Sequence, residues 1–286
     1  MKITTLIENT KEKDSNLINE HGLSILIEVD NKKILFDTGA SASFINNAKD
    51  LNISLKDIDH ILLSHGHYDH CGGLRNFLDE YNPDCTLHLH KDFFKVCDKS
   101  YLNDENNVFS NDTCEKYRYI GIDFDENYIG SKNAEISLIK EDIYKLSHSL
   151  YVFSNFEKSI DYEKRNENMK IKIHEKYVTD NFTEEIALGI DTPKGLLIIV
   201  GCSHVGILNT LSTIEKRTGK KIYGVIGGTH LVEAQEDRIL KTIDYIKEKN
   251  IDLIGFSHCT GEKAVEMFKK AFHNFFINST GTIIEV

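Results

Sequence analysis

The chain has 286 residues, of which 40% are apolar and 28% charged, and 34 basic against 45 acidic side chains give a net charge of −11. This is an ordinary globular composition, and its negative charge disfavours nonspecific binding to nucleic acid or to an anionic membrane, although metal ions could still attract a phosphorylated small molecule. The longest apolar stretches are strand-sized and the N-terminus lacks the apolar core of a signal peptide, so we expect a cytoplasmic protein without membrane partners.

The first third of the chain predicts strands that alternate with helices. Short runs of alternating or continuous apolar residues indicate strands, and Asp30-Asn31 between two such runs indicates a hairpin turn. The predicted elements are a strand over 1–8, hairpin strands over 21–29 and 33–37, a helix over 41–51 with a Ser41 cap, a strand over 59–64, a helix over 73–81 and a strand over 85–90.

The pattern weakens over residues 101–181 and returns after them. Asn, Asp, Glu and Tyr dominate this variable segment, which is either an insertion that covers the site or a set of irregular sheet hairpins. The later part predicts strands over 185–190, 196–200, 222–226 and 253–256, with helices over 207–217 and 233–249. Strand–helix alternation together with hairpins predicts two sheets flanked by helices, and without a linker or repeat we expect one domain over 1–286.

The loop after the apolar run 61–63 concentrates metal-binding residue types. It reads His65-Gly66-His67-Tyr68-Asp69-His70 and so offers three imidazoles and a carboxylate, the donors that ions such as zinc prefer. On an extended backbone His65 and His67 leave the same face and can bind one ion, while Asp69 and His70 could reach a second. A chance cluster would seldom place four ligand-type residues in six positions.

Three further histidines each follow an apolar strand in a small-residue context. They are His204, His230 and His258. Parallel strands bring their carboxyl ends to one edge of a sheet, so these histidines and the first loop are expected to converge on one cleft. By contrast, no role is expected for the histidines outside such loops, which are His60, His88, His90 and His273, and none for His148 and His174, interpreted as exposed polar residues.

These motifs resemble the metallo-β-lactamase-fold superfamily. The resemblance rests on His65-x-His67-x-Asp69-His70, on Asp37-Thr38-Gly39 upstream and on the later strand-end histidines. Segments such as His21-Gly22-Leu23-Ser24 and Gly227-Gly228-Thr229-His230-Leu231 are similar to the branch of dihydropterin ribofuranosyl-aminobenzene phosphate synthases and uncharacterised metal-dependent hydrolases. The resemblance implies an α/β protein with a four-layer αββα sandwich and a metal site at one edge.

The resemblance also implies a ligand set. His65 and His67 would hold one ion, with His204 as our choice for its third ligand, and the second ion would be held by Asp69, His70 and His258. Asp37 would accept a ring N–H from a ligating histidine, or else cap the following helix. His230 lies outside the usual set and is interpreted as a residue for substrate phosphate or proton transfer, with a core histidine as the alternative.

One position departs from the superfamily pattern. A carboxylate that bridges both ions would fall near Cys202, where the sequence has Gly-Cys-Ser-His. Cys202 either binds metal as a thiolate or packs as a small buried residue, packing being the preferred interpretation. The six cysteines form no C-x-x-C pair, so free thiols are expected. Either one or two divalent ions could bind, zinc first, with manganese or iron as alternatives.

Together these features predict a metal-dependent hydrolase. Its substrate would be a small-molecule ester, a phosphate ester or cyclic phosphodiester first, attacked by a water that the metal activates. Asp69 would orient that water as well as bind metal, and His230 would be the second catalytic residue. The alternatives are a di-iron redox protein and a metal- or ligand-binding sensor without catalysis. The sequence makes no prediction of oligomeric state.

Overall fold

The computed structural model of the chain describes residues 1–103 and 116–286. The strands of the first part are β1 (Lys2–Ile7), β2 (Ser24–Val29), β3 (Lys32–Phe36), β4 (His60–Leu62), β5 (Thr86–His90) and β6 (Lys99–Leu102). Those of the second part are β7 (Tyr117–Tyr119), β8 (Glu135–Ile139), β9 (Ile143–Lys145), β10 (Leu150–Phe153), β11 (Met169–Ile173), β12 (Lys176–Thr179), β13 (Ala187–Thr192), β14 (Gly195–Val200), β15 (Ile222–Gly228), β16 (Leu253–Ser257), β17 (Phe275–Ile277) and β18 (Ile283–Glu285). The α-helices are α1 (Ser43–Asp50), α2 (Tyr68–Cys71), α3 (Leu74–Tyr81), α4 (Glu126–Gly130), α5 (Ile207–Thr218), α6 (Glu236–Glu248) and α7 (Glu262–Ala271).

Two seven-stranded sheets form the centre of the described structure. The first has the order β18-β1-β2-β3-β4-β5-β8 and the second β17-β16-β15-β14-β13-β10-β9. In the first sheet β3, β4, β5 and β8 run parallel, and in the second β14, β15, β16 and β17 do. Each parallel run alternates with helices, because a crossover connection is needed to return the chain to the same edge.

The two sheets pack face to face, with helices on both outer sides. One apolar cluster joins inward side chains of β2, such as Ile25 and Ile27, to those of β14, such as Leu197 and Ile199. A second cluster packs α1 and α3 on the outside of the first sheet, and a third packs α5, α6 and α7 on the outside of the second. The result is an αββα sandwich, and the predicted fold class is confirmed.

The strands in the middle of the sandwich explain the continuous apolar runs of the sequence. In β14, Leu197 and Ile199 face the other sheet, while Ile198 and Val200 face the helices. Successive side chains of a strand point to opposite faces, so a strand covered on both sides must be apolar at every position.

The first helix begins two residues later than predicted. Helix α1 starts at Ser43, and Ala42 rather than Ser41 occupies the cap position. Ser41 still contacts the helix start, because its Oγ accepts the backbone N–H of Ser43 at 3.1 Å while its hydroxyl donates to a carboxylate oxygen of Glu20 at 2.6 Å. Ser41 therefore joins the start of α1 to the loop before β2.

The variable segment over 101–181 contributes to three sheets. Strands β8, β9 and β10 extend the two main sheets, and a separate four-stranded sheet has the order β12-β11-β6-β7. Residues 104–115 of this segment lie outside the described residues. In the part of the chain that the structure describes, no helix is long and apolar enough to cross a membrane.

Candidate metal centre

The predicted ligand residues meet where parallel strands end. The loop that begins at His65 follows β4, and His204, His230 and His258 follow β14, β15 and β16. After His67 the chain turns into the short helix α2, which carries Asp69 and His70. Side chains of these loops line a cavity of about 400 Å³. The walls of this cavity include His67, Asp69, Cys202, His204, His230 and His258.

Three imidazoles form a first group, of which His67 and His204 line the cavity. His65 Nε2 lies 3.0 Å from His67 Nδ1 and 3.2 Å from His204 Nε2. All three side chains are buried. The first loop and the loop after β14 therefore supply one nitrogen-rich group from both sheets.

A second group lies beside it. His70 Nε2 is 3.1 Å from His258 Nε2, and His258 Nε2 is 3.3 Å from Asp69 Oδ2. Cys202 Sγ is 3.2 Å from His70 Nε2, and this thiol also lies within 4.8 Å of the ligand atoms of His65 and His204. Cys202 is thus common to both groups.

Hydrogen bonds on the far side of two rings fix which nitrogen faces the cavity. Asp37 Oδ2 lies 2.6 Å from His70 Nδ1 and accepts the Ser64 hydroxyl at 2.8 Å. The Ser64 oxygen in turn lies 2.9 Å from His65 Nδ1. Nδ1–H therefore donates outward in His65 and His70, so that Nε2 of each ring faces the cavity. Asp37 occupies the position predicted for it beside a histidine, and it does not cap α1.

The donor arrangement fits divalent cations. Three pairs of ring nitrogens face one another at 3.0–3.2 Å, a separation that either an N–H···N hydrogen bond or a shared cation bridges. Tetrahedral zinc with bonds of about 2.05 Å places its nitrogen ligands about 3.3 Å apart, close to these separations. His67 presents its Nδ1 to the first group, and its buried Nε2 has no hydrogen-bond partner among the described residues.

Burial sets the protonation of the first group. Burial lowers the pKa of His65, His67 and His204 well below the ordinary value, so these imidazoles are neutral near pH 7 and can donate to a cation. Burial also raises the pKa of the Cys202 thiol well above its ordinary value. A thiolate at Cys202 therefore requires a cation beside it.

Neighbouring charges set the pKa values of the second group. Burial alone would lower the pKa of His70, but the charges of Asp69 and Asp37 outweigh it and raise that pKa to about 9. Burial opposes ionisation of Asp69, yet the charge of His70 and the neighbouring imidazoles of His21 and His258 hold the pKa of Asp69 well below its usual range. The second group thus keeps an ionised carboxylate available.

One wall of the first group comes from residues that the sequence reasoning missed. Phe182 stacks on His204 with ring centroids 4.0 Å apart and meets His67 edge-on at 5.5 Å. Lys99 Nζ lies 4.6 Å from the Phe182 ring and pairs with Asp180 and with Glu184, the latter at 2.7 Å. The acidic run around residue 180 was the only local signal of this buried cluster.

Glu185 holds the loop that carries His204. Its carboxylate accepts the backbone N–H groups of His204 at 2.8 Å and Val205 at 2.9 Å. Burial raises the pKa of Glu185 to about 7 despite these two hydrogen bonds. The residue lies two positions before β13 and was predicted only as part of a strand.

His230 lies beside the groups and not within them. Its ring centroid is 4.4 Å from that of His204, and its imidazole lines the cavity. Burial lowers the pKa of His230 to about 4. The histidines given no role lie elsewhere: His60 pairs with His88, His90 contacts Asn155, and His148 and His174 are exposed.

Similarity to known proteins identifies the family. The model of the metallo-β-lactamase superfamily matches residues 18–95, which include the first histidine loop. Over 285 residues the chain is 35% identical to the 7,8-dihydropterin-6-methyl-4-(β-D-ribofuranosyl)-aminobenzene-5'-phosphate synthase of Methanocaldococcus jannaschii, and the match covers 96% of this chain and 93% of that protein. The chain belongs to the metallo-β-lactamase superfamily.

Two further relatives of this superfamily member cover nearly the whole chain. An uncharacterized protein of Methanocaldococcus jannaschii is 33% identical over 284 residues, or 99% of this chain and 100% of that protein. A crystal structure of a metal-dependent hydrolase of the β-lactamase superfamily matches with a TM-score of 0.82 and 28% identity, over 100% of this chain and 99% of that chain. The predicted superfamily and its synthase-containing branch are therefore confirmed.

Proposed function

We propose that the chain is a metal-dependent phosphoesterase that cleaves a phosphate ester or cyclic phosphodiester of a small molecule. The observation that carries this proposal is the pair of ligand groups that share Cys202 on the floor of one cavity. Two adjacent cations suit phosphoryl chemistry because they can stabilise the attacking and the leaving oxygens together. The 5'-phosphate in the name of the M. jannaschii synthase supports a phosphorylated small molecule as the ligand.

The proposal assigns each donor atom to an ion. His65 Nε2, His67 Nδ1 and His204 Nε2 would hold the first ion, and Asp69 Oδ2, His70 Nε2 and His258 Nε2 the second, with Cys202 Sγ available to both. Bound divalent ions, zinc first and manganese or iron as alternatives, supply Lewis acidity and lower the pKa of water from about 16 toward about 7.

The chain's own residues orient the reactants. Asp69 stays ionised, so its carboxylate can accept a hydrogen bond from the attacking water as well as bind metal. His230 is neutral near pH 7, so its ring can donate an N–H to a substrate oxygen in the cavity without carrying charge. Phe182 shields the first group from water on one side.

Transfer to an acceptor other than water is the second candidate function, because the named relative is a synthase. The same residues would then bind the phosphorylated donor, and a second small molecule would replace the attacking water. A di-iron redox role is less well supported, because the ligand common to both groups is a thiol and not a carboxylate.

Metal analysis and a substrate panel test the proposal. The purified protein is expected to contain divalent metal and to hydrolyse phosphodiesters or phosphomonoesters in preference to the lactones and thioesters of the same panel. His67→Ala should abolish tight metal uptake and turnover, whereas His148→Ala, which changes an exposed histidine, should alter neither.

The outcomes separate the candidates. Full activity of the His67→Ala protein would refute the assignment. Turnover that appears only with a second small-molecule acceptor would favour the synthase function. Ligand retention without hydrolysis of any panel member would favour a sensor.

A further inference from the structure

The segment between β1 and β2 reaches the second ligand group through two polar side chains. Asn9 and His21 both line the cavity, and their contacts with the ligand set go to Asp69 and His258. Neither residue belongs to the two groups of potential metal ligands found among the described residues. We propose that Asn9 and His21 are positioning residues for the second ion, an inference that rests on the proposed two-ion site.

The Asn9 amide fixes the ring of His258. Asn9 Oδ1 accepts the backbone N–H of Gly22 at 3.3 Å, so this atom is the amide oxygen and not the nitrogen. The same oxygen lies 2.8 Å from His258 Nδ1, which must therefore carry the proton. The proton on Nδ1 leaves His258 Nε2 with its lone pair directed at Asp69 and His70.

The other end of the amide fixes His21. Asn9 Nδ2 lies 3.3 Å from His21 Nδ1 and can only donate to it, so the His21 proton lies on Nε2. That Nε2 is 3.2 Å from Asp69 Oδ2, the oxygen that also faces His258. His21 therefore donates to the metal-facing oxygen of Asp69, and one amide sets the tautomers of two imidazoles.

Ring stacking and a backbone hydrogen bond hold His21 and His258 in this arrangement. The His21 ring stacks on His258 with centroids 5.1 Å apart at 26°. The backbone N–H of His258 donates to the buried carboxylate of Glu8, the residue next to Asn9. The end of β1 thus fixes both the backbone and the ring of His258.

The first group is held by other residues. Ser64 contacts His65, while Phe182 and Glu185 contact His204. Since the contacts described for Asn9 and His21 go to the second group, loss of either residue should weaken binding of one ion and spare the other. Residues that orient metal ligands typically change metal affinity by about 10–100-fold when they are removed.

Metal titration of the full chain tests this inference. The metal-depleted protein would be titrated with Co²⁺ in competition with a chelator, and the two binding steps assigned with His204→Ala and His258→Ala. His21→Ala should weaken by about 10–100-fold only the step that His258→Ala removes. The His21 side chain is 57% exposed, so its truncation should leave the fold and its melting temperature without metal unchanged.

Asn9→Leu provides a second variant and His148→Ala a matched control. Asn9→Leu removes the hydrogen bonds of the amide to His21 and His258 and should weaken the same step. His148 is another exposed imidazole near an aspartate, 3.5 Å from Asp30, and its removal should change neither step.

Each outcome decides the inference. Unchanged affinity for both ions in His21→Ala and Asn9→Leu, or equal weakening of both steps, would overturn the positioning role. A wild-type protein that binds a single ion would overturn it while leaving a metal-dependent function intact. A wild-type protein that binds none would refute both proposals.

Discussion

At the scale of single residues, Cys202 is the most informative side chain of the site. Its Sγ lies 3.2 Å from His70 Nε2 and within reach of both ligand groups, a position that simple packing would not require. Burial keeps the thiol protonated until a cation is beside it. The proposed two-ion site would use Cys202 as a shared thiolate ligand, the alternative to the packing role that the sequence interpretation preferred.

Replacement of Cys202 tests this interpretation. With Co²⁺ bound, Cys202→Ala is expected to lose the thiolate-to-cobalt charge-transfer absorption in the near ultraviolet and to bind both ions more weakly, because a shared ligand is missing. Cys85→Ala is the control, since Cys85 is buried in the apolar cluster under α1 and α3. An unchanged absorption band in Cys202→Ala would restore the packing role.

Much of the site follows from local sequence, and the rest does not. The loop from His65 to His70 concentrates its ligands in six positions, so sequence alone could predict it. The Asn9 contact with His258 joins positions 249 residues apart and depends on how β1 and β16 are arranged in different sheets. No local pattern carries that information.

At the scale of elements, the loop before β13 packs as a buried layer against the first ligand group. Lys99 at the start of β6 is fully buried with the carboxylates of Asp180 and Glu184, and its ammonium faces the Phe182 ring. Burial of charge is tolerated only where partners compensate it. Lys99 therefore compensates the buried negative charges on either side of Phe182.

Replacement of Lys99 should be costly to the fold. Lys99→Met leaves two buried carboxylates without their cation and is expected to lower the free energy of unfolding by about 3–5 kcal/mol. Lys95→Met removes an exposed lysine that pairs with Asp92 and should have little effect. Denaturant unfolding of both variants measures the difference in unfolding free energy. Equal effects would contradict the compensation of buried charge by Lys99.

At the scale of the whole molecule, a histidine pair lies between the two sheets and away from the ligand groups. His88 of β5 lies 3.1 Å from His60 of β4, and its ring is 5.9 Å from that of Tyr144 in the second sheet. Burial lowers the pKa of His88 to about 4 from an ordinary value of 6.5. The unfolded chain therefore binds a proton between these pH values that the folded chain does not.

The stability of the fold should accordingly fall as the pH drops from 6.5 toward 4. His88→Gln removes the titrating group and is expected to reduce the pH dependence of the unfolding free energy by up to one proton. Because acid-driven loss of metal affects variant and wild type alike, the difference between them isolates His88. His148→Gln serves as the control, and an undiminished slope in His88→Gln would disprove the assignment.

Both ligand groups draw donors from the two sheets, and this has a mechanical consequence. The contact of His65 with His204 spans 139 residues of chain, and that of His70 with His258 spans 188. An ion at either position would cross-link two halves of the sandwich as a covalent bridge does, and would restrict the unfolded chain by closing a very long loop. Removal of the ions would then weaken the association of the two sheets as well as abolish catalysis.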